Sequence, residues 1–350
     1  MKEAVVDLFC GVGGLTHGLE EAGFNVVAGI DLDKTCEYAY NENNNSRFIL
    51  ADVSSYPAKR VNSLFKEADV KILVGCAPCQ TFSAQSRKIR KHTDLTQDIR
   101  WHLLDSFADY VEKIQPDIVS MENVPELQKF DVFEHFCNKL KSNDYYIEHQ
   151  IVDCAKYGLP QKRRRLVLLA SKYAPISLLP PSGKKKTVGD VIKGLPRLEC
   201  GEIDAEDPLH RCAGLTQINL ERIKYSRPGG TWRDWPDYLL TNCHKKISGK
   251  DFTSVYGRMK WDEPSPTITT QFFYIGAGRY GHPEQDRAIS LREGALLQTF
   301  PQTYKFFKNP ETMAIATISR HIGNAVPVEL GKIIGLSIKK HLGEVKNAKL

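Results

Sequence analysis

The sequence predicts an α/β fold, in which a mostly parallel, doubly wound sheet is followed by a smaller, irregular lobe. The first 171 residues alternate short apolar runs with segments of helical periodicity. The apolar runs lack an apolar/polar alternation, which is typical of strands that helices cover on both faces. After residue 171 this order stops, and Pro, Gly and short charged stretches become frequent.

Six apolar runs in the first 171 residues are predicted as strands, and helical periodicity fills most of the intervals between them. The predicted strands are residues 4–9, 25–30, 48–50, 70–75, 117–121 and 165–170. The predicted helices are residues 15–22, 33–43, 99–114, 127–140, 291–298 and 328–342. Ligands bind beyond the carboxyl ends of strands in such sheets. We therefore expect the polar residues that follow different strands to converge at one edge.

The composition limits the class of protein. With 350 residues, 41% hydrophobic and 26% charged, the chain can bury a sizeable core, which argues against disorder. No apolar run approaches the roughly 18 residues of a membrane span, and the first residues do not resemble a secretory signal. The nine scattered cysteines indicate a reducing compartment. We expect a cytoplasmic protein without a membrane partner. The net charge of +6 permits a polyanionic partner but does not establish one.

A glycine cluster follows the first predicted strand. Gly11, Gly13 and Gly14 would let the backbone approach a ligand closely. Asp31 ends the second strand, where dinucleotide-binding sheets place an acid that binds ribose. The spacing F-x-G-x-G-G differs from G-x-G-x-x-G, so NAD and other adenosine ligands both remain open. The simpler alternative is a tight turn that binds nothing.

Cys79 is the candidate nucleophile. It follows the strand at residues 70–75 and precedes a basic segment that contains Arg87 and Arg90. Nearby positive charge favours the thiolate, which is the strongest ordinary nucleophile in proteins. The alternative is a buried and unreactive cysteine, which is the commoner fate of this residue type.

Charged residues also flank the last two predicted strands. Glu122 follows one strand and could act as an acid or hydrogen-bond partner, although an acid at a helix start would look the same. The run at residues 161–165 enters the other strand, so Gln161, Arg163 and Arg165 are predicted to share one face. The two arginines could hold a nucleotide or its phosphate, whereas a solvated basic surface is the alternative.

Together, these segments resemble the DNA (cytosine-5) methyltransferases. The matching segments, in family order, are DLFCGVGG (7–14), DL (31–32), DV (52–53), GCAPCQTFS (75–83), MENV (121–124), QKRRR (161–165), RAISLREGALLQTF (287–300) and GNAVP (323–327). The resemblance spans nearly the whole chain. Within the family, the chain is most similar to the bacterial modification enzymes. It implies a Rossmann-like, S-adenosylmethionine-dependent fold. Cys76 is an extra thiol beside the nucleophile motif, with no role assigned by the resemblance.

The resemblance implies S-adenosylmethionine as the methyl donor and no metal. Asp31 would bind the ribose hydroxyls, Leu32 and Val53 would flank the adenine, and Asp52 would accept from its amino group. The implied cofactor residues are Phe9, Gly11, Gly13, Gly14, Asp31, Leu32, Asp52, Val53, Pro78 and Asn324.

The resemblance also implies how the target base reacts. Cys79 would add to carbon 6 of a flipped cytosine, while Glu122 holds the ring nitrogen N3. Arg165 would lie near the base carbonyl, with Arg163 in support. The basic segment that follows would contact DNA phosphates through Ser83, Arg87 and Arg90.

Three segments are expected. Residues 1–171 would form the catalytic and S-adenosylmethionine-binding domain, residues 172–270 the target-recognition region, and residues 271–350 a return segment that packs back on the catalytic domain. The expected partner is double-stranded DNA, bound by a monomer that associates with the nucleoid while it acts. A restriction endonuclease for the same site would complete a restriction–modification system.

Three alternatives remain at this stage. A tRNA cytosine-5 methyltransferase would share the fold and much of the nucleophile motif. An NAD-dependent oxidoreductase would use the glycine turn and Asp31, but it leaves Cys79, Glu122 and the arginine motif unexplained. A non-catalytic DNA-binding relative is disfavoured because Cys79, Glu122 and Arg165 are all present.

Overall fold

The computed structural model describes residues 2–78, 102–181, 183–246, 249, 251–312 and 314–348. These residues form two compact units. The first unit comprises Met1–Asp153, Arg164–Pro181 and Val326–Leu350, and the second comprises Cys154–Arg163 and Ser182–Ala325.

The described residues form nine strands, seven of them in the main sheet of the first unit. The strands are β1 (Glu3–Leu8), β2 (Val26–Asp31), β3 (Arg47–Leu50), β4 (Val70–Gly75), β5 (Ile118–Asn123), β6 (Tyr146–Asp153), β7 (Gln161–Lys162), β8 (Arg164–Ser171) and β9 (Ser265–Pro266). The sheet order is β3-β2-β1-β4-β5-β8-β6. Strands β1 to β5 pair in parallel, and β8 is antiparallel to both β5 and β6. The predicted mostly parallel sheet is confirmed.

The helices cover this sheet and also form part of the second unit. The α-helices are Gly14–Glu21, Glu37–Asn43, Ala58–Ser63, Leu103–Ile114, Asp131–Ser142, Val188–Ile192, Gln217–Tyr225, Leu291–Leu297, Ile315–Asn324 and Val328–Ala348. The 3-10 helices are Lys34–Cys36, Pro125–Lys129, Cys154–Tyr157, Trp232–Asp234, Asp237–Leu239, Ile275–Ala277 and Pro310–Thr312. None of the helices in the described ranges has the length and apolar character that a membrane crossing requires.

Two predicted helices each begin as a separate 3-10 turn. The segment at 33–43 starts with Lys34–Cys36, where the carboxylate of Asp33 accepts from the backbone N–H of Thr35. The segment at 127–140 is preceded by Pro125–Lys129 and is interrupted at Phe130, whose backbone is extended. Local backbone geometry therefore divides segments whose apolar periodicity is continuous.

The core of the first unit lies between the sheet and the helices Leu103–Ile114 and Asp131–Ser142. Phe107 and Phe136 are fully buried, and their rings meet edge to face with centroids 5.4 Å apart. Burying each such side chain contributes about 1.5–3 kcal/mol. This packing holds β4 and β5 in place, and both strands end at the candidate site.

The last helix, Val328–Ala348, packs against the helix Gly14–Glu21 that follows the glycine cluster. The contact is so close that a Cβ added at Gly18 would lie 2.2 Å from the backbone oxygen of Val328. Only glycine allows this approach. The chain end thus supports the helix that begins at the candidate ligand site.

The second unit contains short helices and long irregular segments, as the poor periodicity of the sequence predicts. Its small apolar clusters include one formed by Trp232, Trp235 and Leu239. Its two-stranded sheet pairs β7 with β9. A buried ion pair joins Arg287 and Glu293 through two hydrogen bonds of 2.8 and 2.7 Å.

Candidate active site

The direction of the strands brings the polar residues of the first unit to one edge of the sheet. Strands β1 to β5 are parallel, so their carboxyl ends share that edge. Strand β8 is antiparallel to β5, and its residue Leu166 pairs with Asn123 at the end of β5. The start of β8 therefore lies beside the end of β5, although the two are more than 40 residues apart in the sequence.

Glu122 is the centre of the site. Its side chain is buried, and Oε2 accepts a hydrogen bond from the Sγ of Cys76 at 2.8 Å. The Nε of Arg165 lies 2.9 Å from Oε1, in an ion pair. The geometry of this pair is not that of a hydrogen bond, and Oε1 accepts none from the described residues. The carboxylate is thus held between a cation and a thiol.

The pairing of the strands explains this arrangement. Glu122 pairs with Val167, and Arg165 lies two residues from Val167 along β8, on the same face of the sheet. Gly75 of β4 pairs with Met121 of β5, so the next residue on each strand, Cys76 and Glu122, are neighbours. Three segments that are distant in sequence therefore meet at one carboxylate.

Asn123 fixes the chain that leaves β4. Its Nδ2 donates to the backbone oxygen of Ala77 at 3.0 Å, and its Oδ1 accepts from the backbone N–H of Val124 at 2.9 Å. Both side-chain bonds are buried, which makes them geometrically specific. Pro78, half-buried, is the next residue, so Asn123 anchors the segment that leads to position 79.

The arginine motif differs from the prediction. Gln161 and Arg165 were expected on one strand, but the chain forms two strands, β7 and β8, with Arg163 between them. The guanidinium of Arg163 is buried and donates to the backbone oxygens of Ile268 at 3.2 Å and Ala325 at 3.3 Å. The prediction of one shared strand face is therefore wrong, because these side-chain bonds hold Arg163 in the second unit.

The glycine cluster forms a tight turn between β1 and the helix Gly14–Glu21. Phe9, Gly11 and Gly13 all have positive φ, at 59°, 52° and 88°. A Cβ added at Gly11 would meet nothing within 4 Å, so the backbone there borders open space. The backbone N–H of Gly11 donates to Oδ2 of Asp31 at 2.8 Å. The glycine turn and the end of β2 are thereby joined.

The residues after β2 and β3 offer both polar and apolar groups. Asp31 also accepts from the backbone N–H of Asp33 at 2.8 Å, and burial raises its pKa despite these bonds. The Leu32 side chain is 67% exposed, which is unusual for leucine. Asp52 accepts from the backbone and hydroxyl of Ser54, while Val53 is buried.

Asp7 lies beneath the glycine turn. Its Oδ2 accepts from the hydroxyl of Thr16 at 2.8 Å, and its buried Oδ1 accepts no hydrogen bond from the described residues. Burial, followed by the nearby charge of Asp31, raises the pKa of Asp7 to about 7. The carboxyl group of Asp7 therefore holds its proton to a higher pH than an ordinary aspartate does.

Some predicted site residues are not part of this geometry. Cys79, Ser83, Arg87 and Arg90 lie outside the described residues. Asn324 is exposed at the end of the helix Ile315–Asn324, in the second unit. Their assignments remain predictions.

Sequence reasoning missed two contacts of Glu122 and Asn123. The thiol of Cys76 was noted as extra, but its contact with Glu122 follows only from the β4–β5 register. The anchor from Asn123 to Ala77 depends on the same register. The sequence places Cys76 beside the nucleophile motif, but no local pattern there indicates a carboxylate partner.

The strand order, the glycine turn and the polar strand ends define a Rossmann-like sheet with a candidate ligand site at its edge. A sequence profile described as C-5 cytosine-specific DNA methylase matches residues 4–340. The chain belongs to this family. It uses S-adenosylmethionine to methylate carbon 5 of cytosine in DNA, as the sequence resemblance predicted, and the NAD-dependent alternative is excluded.

Individual relatives agree with this membership. The chain is 51% identical to the type II methylase M.HgiDII of Herpetosiphon aurantiacus, over 98% of this chain and 96% of that protein. It is 30% identical to the type II methyltransferase M.PspPI of a Psychrobacter species, over 97% of this chain and 79% of the relative. The crystal structure of a prophage-encoded DNA modification methyltransferase from E. coli superposes with a TM-score of 0.74 at 23% identity, covering 97% and 99% of the two chains. This last likeness concerns the fold.

Proposed function

We propose that this chain is the modification enzyme of a type II restriction–modification system. It would methylate one cytosine within a specific double-stranded sequence and so protect that site from a cognate endonuclease. Support comes from the 51% identity to a protein named as a type II methylase, over nearly the full length of both chains. The enzyme would act as a cytoplasmic monomer that associates with the nucleoid DNA.

We propose that the methyl donor lies across the ends of β1, β2 and β3. Bound S-adenosylmethionine supplies an electrophilic methyl group. The open space at Gly11 would let the donor approach the backbone closely. The carboxylate of Asp31 suits the ribose hydroxyls, and the exposed side chain of Leu32 suits the adenine. The remaining proposed contacts are Phe9, Gly13, Gly14, Asp52, Val53, Pro78 and Asn324.

We propose that Cys79 is the nucleophile. Its thiolate sulfur would bond to carbon 6 of cytosine, which makes carbon 5 electron-rich enough to accept a methyl group. Glu122 would hold or protonate N3 while negative charge develops on the ring. Loss of the carbon 5 proton to a base, with expulsion of the thiolate, would complete the reaction. No metal is needed, because addition of the thiolate activates the ring.

The arginines of the motif would have different tasks. Arg165 would lie near the base carbonyl while it holds Glu122, and Arg163 would support this region from its buried position. The observation that carries the catalytic proposal is the placement of Glu122 between Arg165 and Cys76. Asn123 anchors Ala77, two residues before the proposed nucleophile, at the same edge of the sheet.

The target cytosine must leave the duplex to reach Cys79, at a cost of a few kcal/mol. We propose that Ser83, Arg87 and Arg90 contact phosphates around the flipped nucleotide. Residues 172–270 would form the target-recognition region that reads the sequence. The return segment at 271–350 would bring Asn324 to the donor site.

The test combines a trap with a substitution. A duplex with 5-fluorocytosine at the target should form a covalent complex with the wild-type enzyme and S-adenosylmethionine, because carbon 5 then carries no removable proton. Cys79→Ala should form none and should lose turnover, while it still binds S-adenosylhomocysteine. Covalent capture by Cys79→Ala would refute the assignment of the nucleophile.

The target is found by bisulfite sequencing of DNA from cells that express the protein. One methylated sequence context is expected, and its cleavage by an endonuclease encoded nearby should be blocked. Parallel methyl-transfer assays on duplex DNA and on tRNA provide the substrate control. Faster transfer to tRNA would overturn the proposed restriction–modification role.

A further inference from the structure

We propose that Cys76 is a positioning residue for methyl transfer, and that its thiol orients Glu122 so that Oε1 is the oxygen presented to the target base. This inference rests on the proposed catalytic role of Glu122. It concerns a thiol for which the family resemblance supplies no task.

The two oxygens of Glu122 have different surroundings. Oε2 accepts from the thiol of Cys76 at 2.8 Å, whereas the buried Oε1 has the Arg165 cation 2.9 Å away but no hydrogen-bond donor among the described residues. A buried carboxylate oxygen without a donor requires an explanation, because such atoms are rare in folded proteins. The exocyclic amine of cytosine, or its N3 once that nitrogen is protonated, would be a suitable donor.

The thiol limits the rotation of the carboxylate. A carboxyl group on a flexible side chain can turn about its last torsion, and this torsion has broad preferences. The contact with Cys76 holds Oε2 on the β4 side of β5, while Arg165 approaches from β8 on the other side. A partner on each flank fixes the plane of the carboxylate before the base arrives, which lowers the reorganisation needed during reaction.

Substitution of Cys76 separates a positioning role from a packing role. Cys76→Ala removes the donor and should lower kcat about tenfold or more, since a hydrogen bond to a charged group is lost. The KM values for DNA and S-adenosylmethionine should stay near those of the wild type. Cys76→Ser supplies a hydroxyl donor and should restore most of kcat. If Cys76→Ala does not fold, Cys76→Val removes the donor while filling the space.

A matched control and a double substitution complete the experiment. Cys137→Ala removes a buried thiol from the helix Asp131–Ser142 and should leave kcat unchanged. In a Glu122→Gln background, Cys76→Ala should have little further effect, because both changes act through the same carboxyl group.

The outcomes separate the two proposals. A Glu122→Gln enzyme with wild-type kcat would refute the catalytic role of Glu122, and the positioning role with it. A slow Glu122→Gln enzyme together with a fast Cys76→Ala enzyme would overturn the positioning role alone. The positioning role is also overturned if the kcat of Cys76→Ser is as low as that of Cys76→Ala. It is likewise overturned if Cys76→Ala lowers the kcat of the Glu122→Gln enzyme by the same factor as it lowers the kcat of the wild-type enzyme.

Discussion

The Nε of Arg165 lies 2.9 Å from Oε1 of Glu122, and the two side chains are only 13% and 3% exposed. The pair joins the start of β8 to the end of β5. Its formation depends on the antiparallel direction of β8, which brings these ends to the same edge of the sheet. Because both groups are largely buried, the ion pair is more than a surface contact, and loss of one partner leaves an uncompensated charge.

Arg165→Met should therefore destabilise the first unit by about 3 kcal/mol. The change can be measured as the free energy of unfolding in urea. Arg164→Ala, at the exposed neighbouring position, is the matched control and should change stability by less than about 0.5 kcal/mol. Equal stability of the two variants would show that the ion pair contributes little to the fold.

Asn123→Ala should reduce both stability and turnover. It leaves the backbone oxygen of Ala77 without its side-chain donor, at a cost of about 1–3 kcal/mol. The segment that leads to Cys79 then loses its anchor, so kcat should fall more than the KM for DNA rises. Thermal melting and steady-state kinetics provide the two measurements. A destabilised variant with normal kcat would limit Asn123 to a structural role.

Asp7→Asn should change how stability depends on pH. Burial raises the pKa of Asp7 to about 7 in the folded state, above its usual value of 3.8. Between these values the folded protein holds a proton that the unfolded chain has lost, so the stability contributed by this group falls as the pH rises towards 7. The stabilising contribution is fully present only below about 3.8.

The asparagine cannot ionise, and it still offers an oxygen to Thr16. The variant should therefore gain stability relative to the wild type as the pH is raised from about 5 to about 8, by up to roughly 3 kcal/mol. Urea unfolding at the two pH values measures the difference. A stability difference that does not vary with pH would contradict the raised pKa.

Leu32→Ala should weaken binding of S-adenosylhomocysteine without destabilising the protein. The side chain is 67% exposed, so its removal should change the free energy of unfolding by less than about 0.5 kcal/mol. Loss of the proposed contact with the adenine should raise the Kd several-fold, as measured by calorimetry. Leu336→Ala, at another exposed leucine, should bind normally. Unchanged affinity in Leu32→Ala would remove this residue from the donor site.

Glu293→Gln should destabilise the second unit. The carboxylate is buried, and although burial alone would raise its pKa, the hydrogen bonds and charge of Arg287 lower it. Neutralising one member of this pair leaves the fully buried Arg287 uncompensated, at a cost of about 3–5 kcal/mol. Glu206→Gln, at an exposed glutamate, serves as the control. Similar unfolding curves for the two variants would contradict this assignment.

Local sequence patterns predict much of the first unit. The strand predicted at residues 70–75 has the same bounds as β4. A short apolar run bounded by polar residues has few other positions in a sheet that helices cover on both faces. The strand β6 was not predicted. Most of its residues are exposed or half-buried, so its sequence lacks a continuous apolar run.

The second unit shows where local patterns fail. The helix Ile315–Asn324 was not predicted, although its inner face is buried. The arginine motif reads as the start of one strand, but hydrogen bonds from Arg163 to Ile268 and Ala325 end the regular structure there. These partners are more than 100 residues away, beyond the reach of any local pattern.

The sequence by itself determined which chemical groups follow which strands, because periodicity and residue type act over a few neighbouring positions. The order of its motifs resembled that of the family and implied the methyl donor, while the roles of the individual site residues stay predictions. Only the tertiary structure decided that Cys76 and Arg165 flank the same carboxylate. Cys76 and Glu122 are 46 residues apart, and their contact follows from the register and direction of strand pairing. Both are set by the packing of the whole sheet.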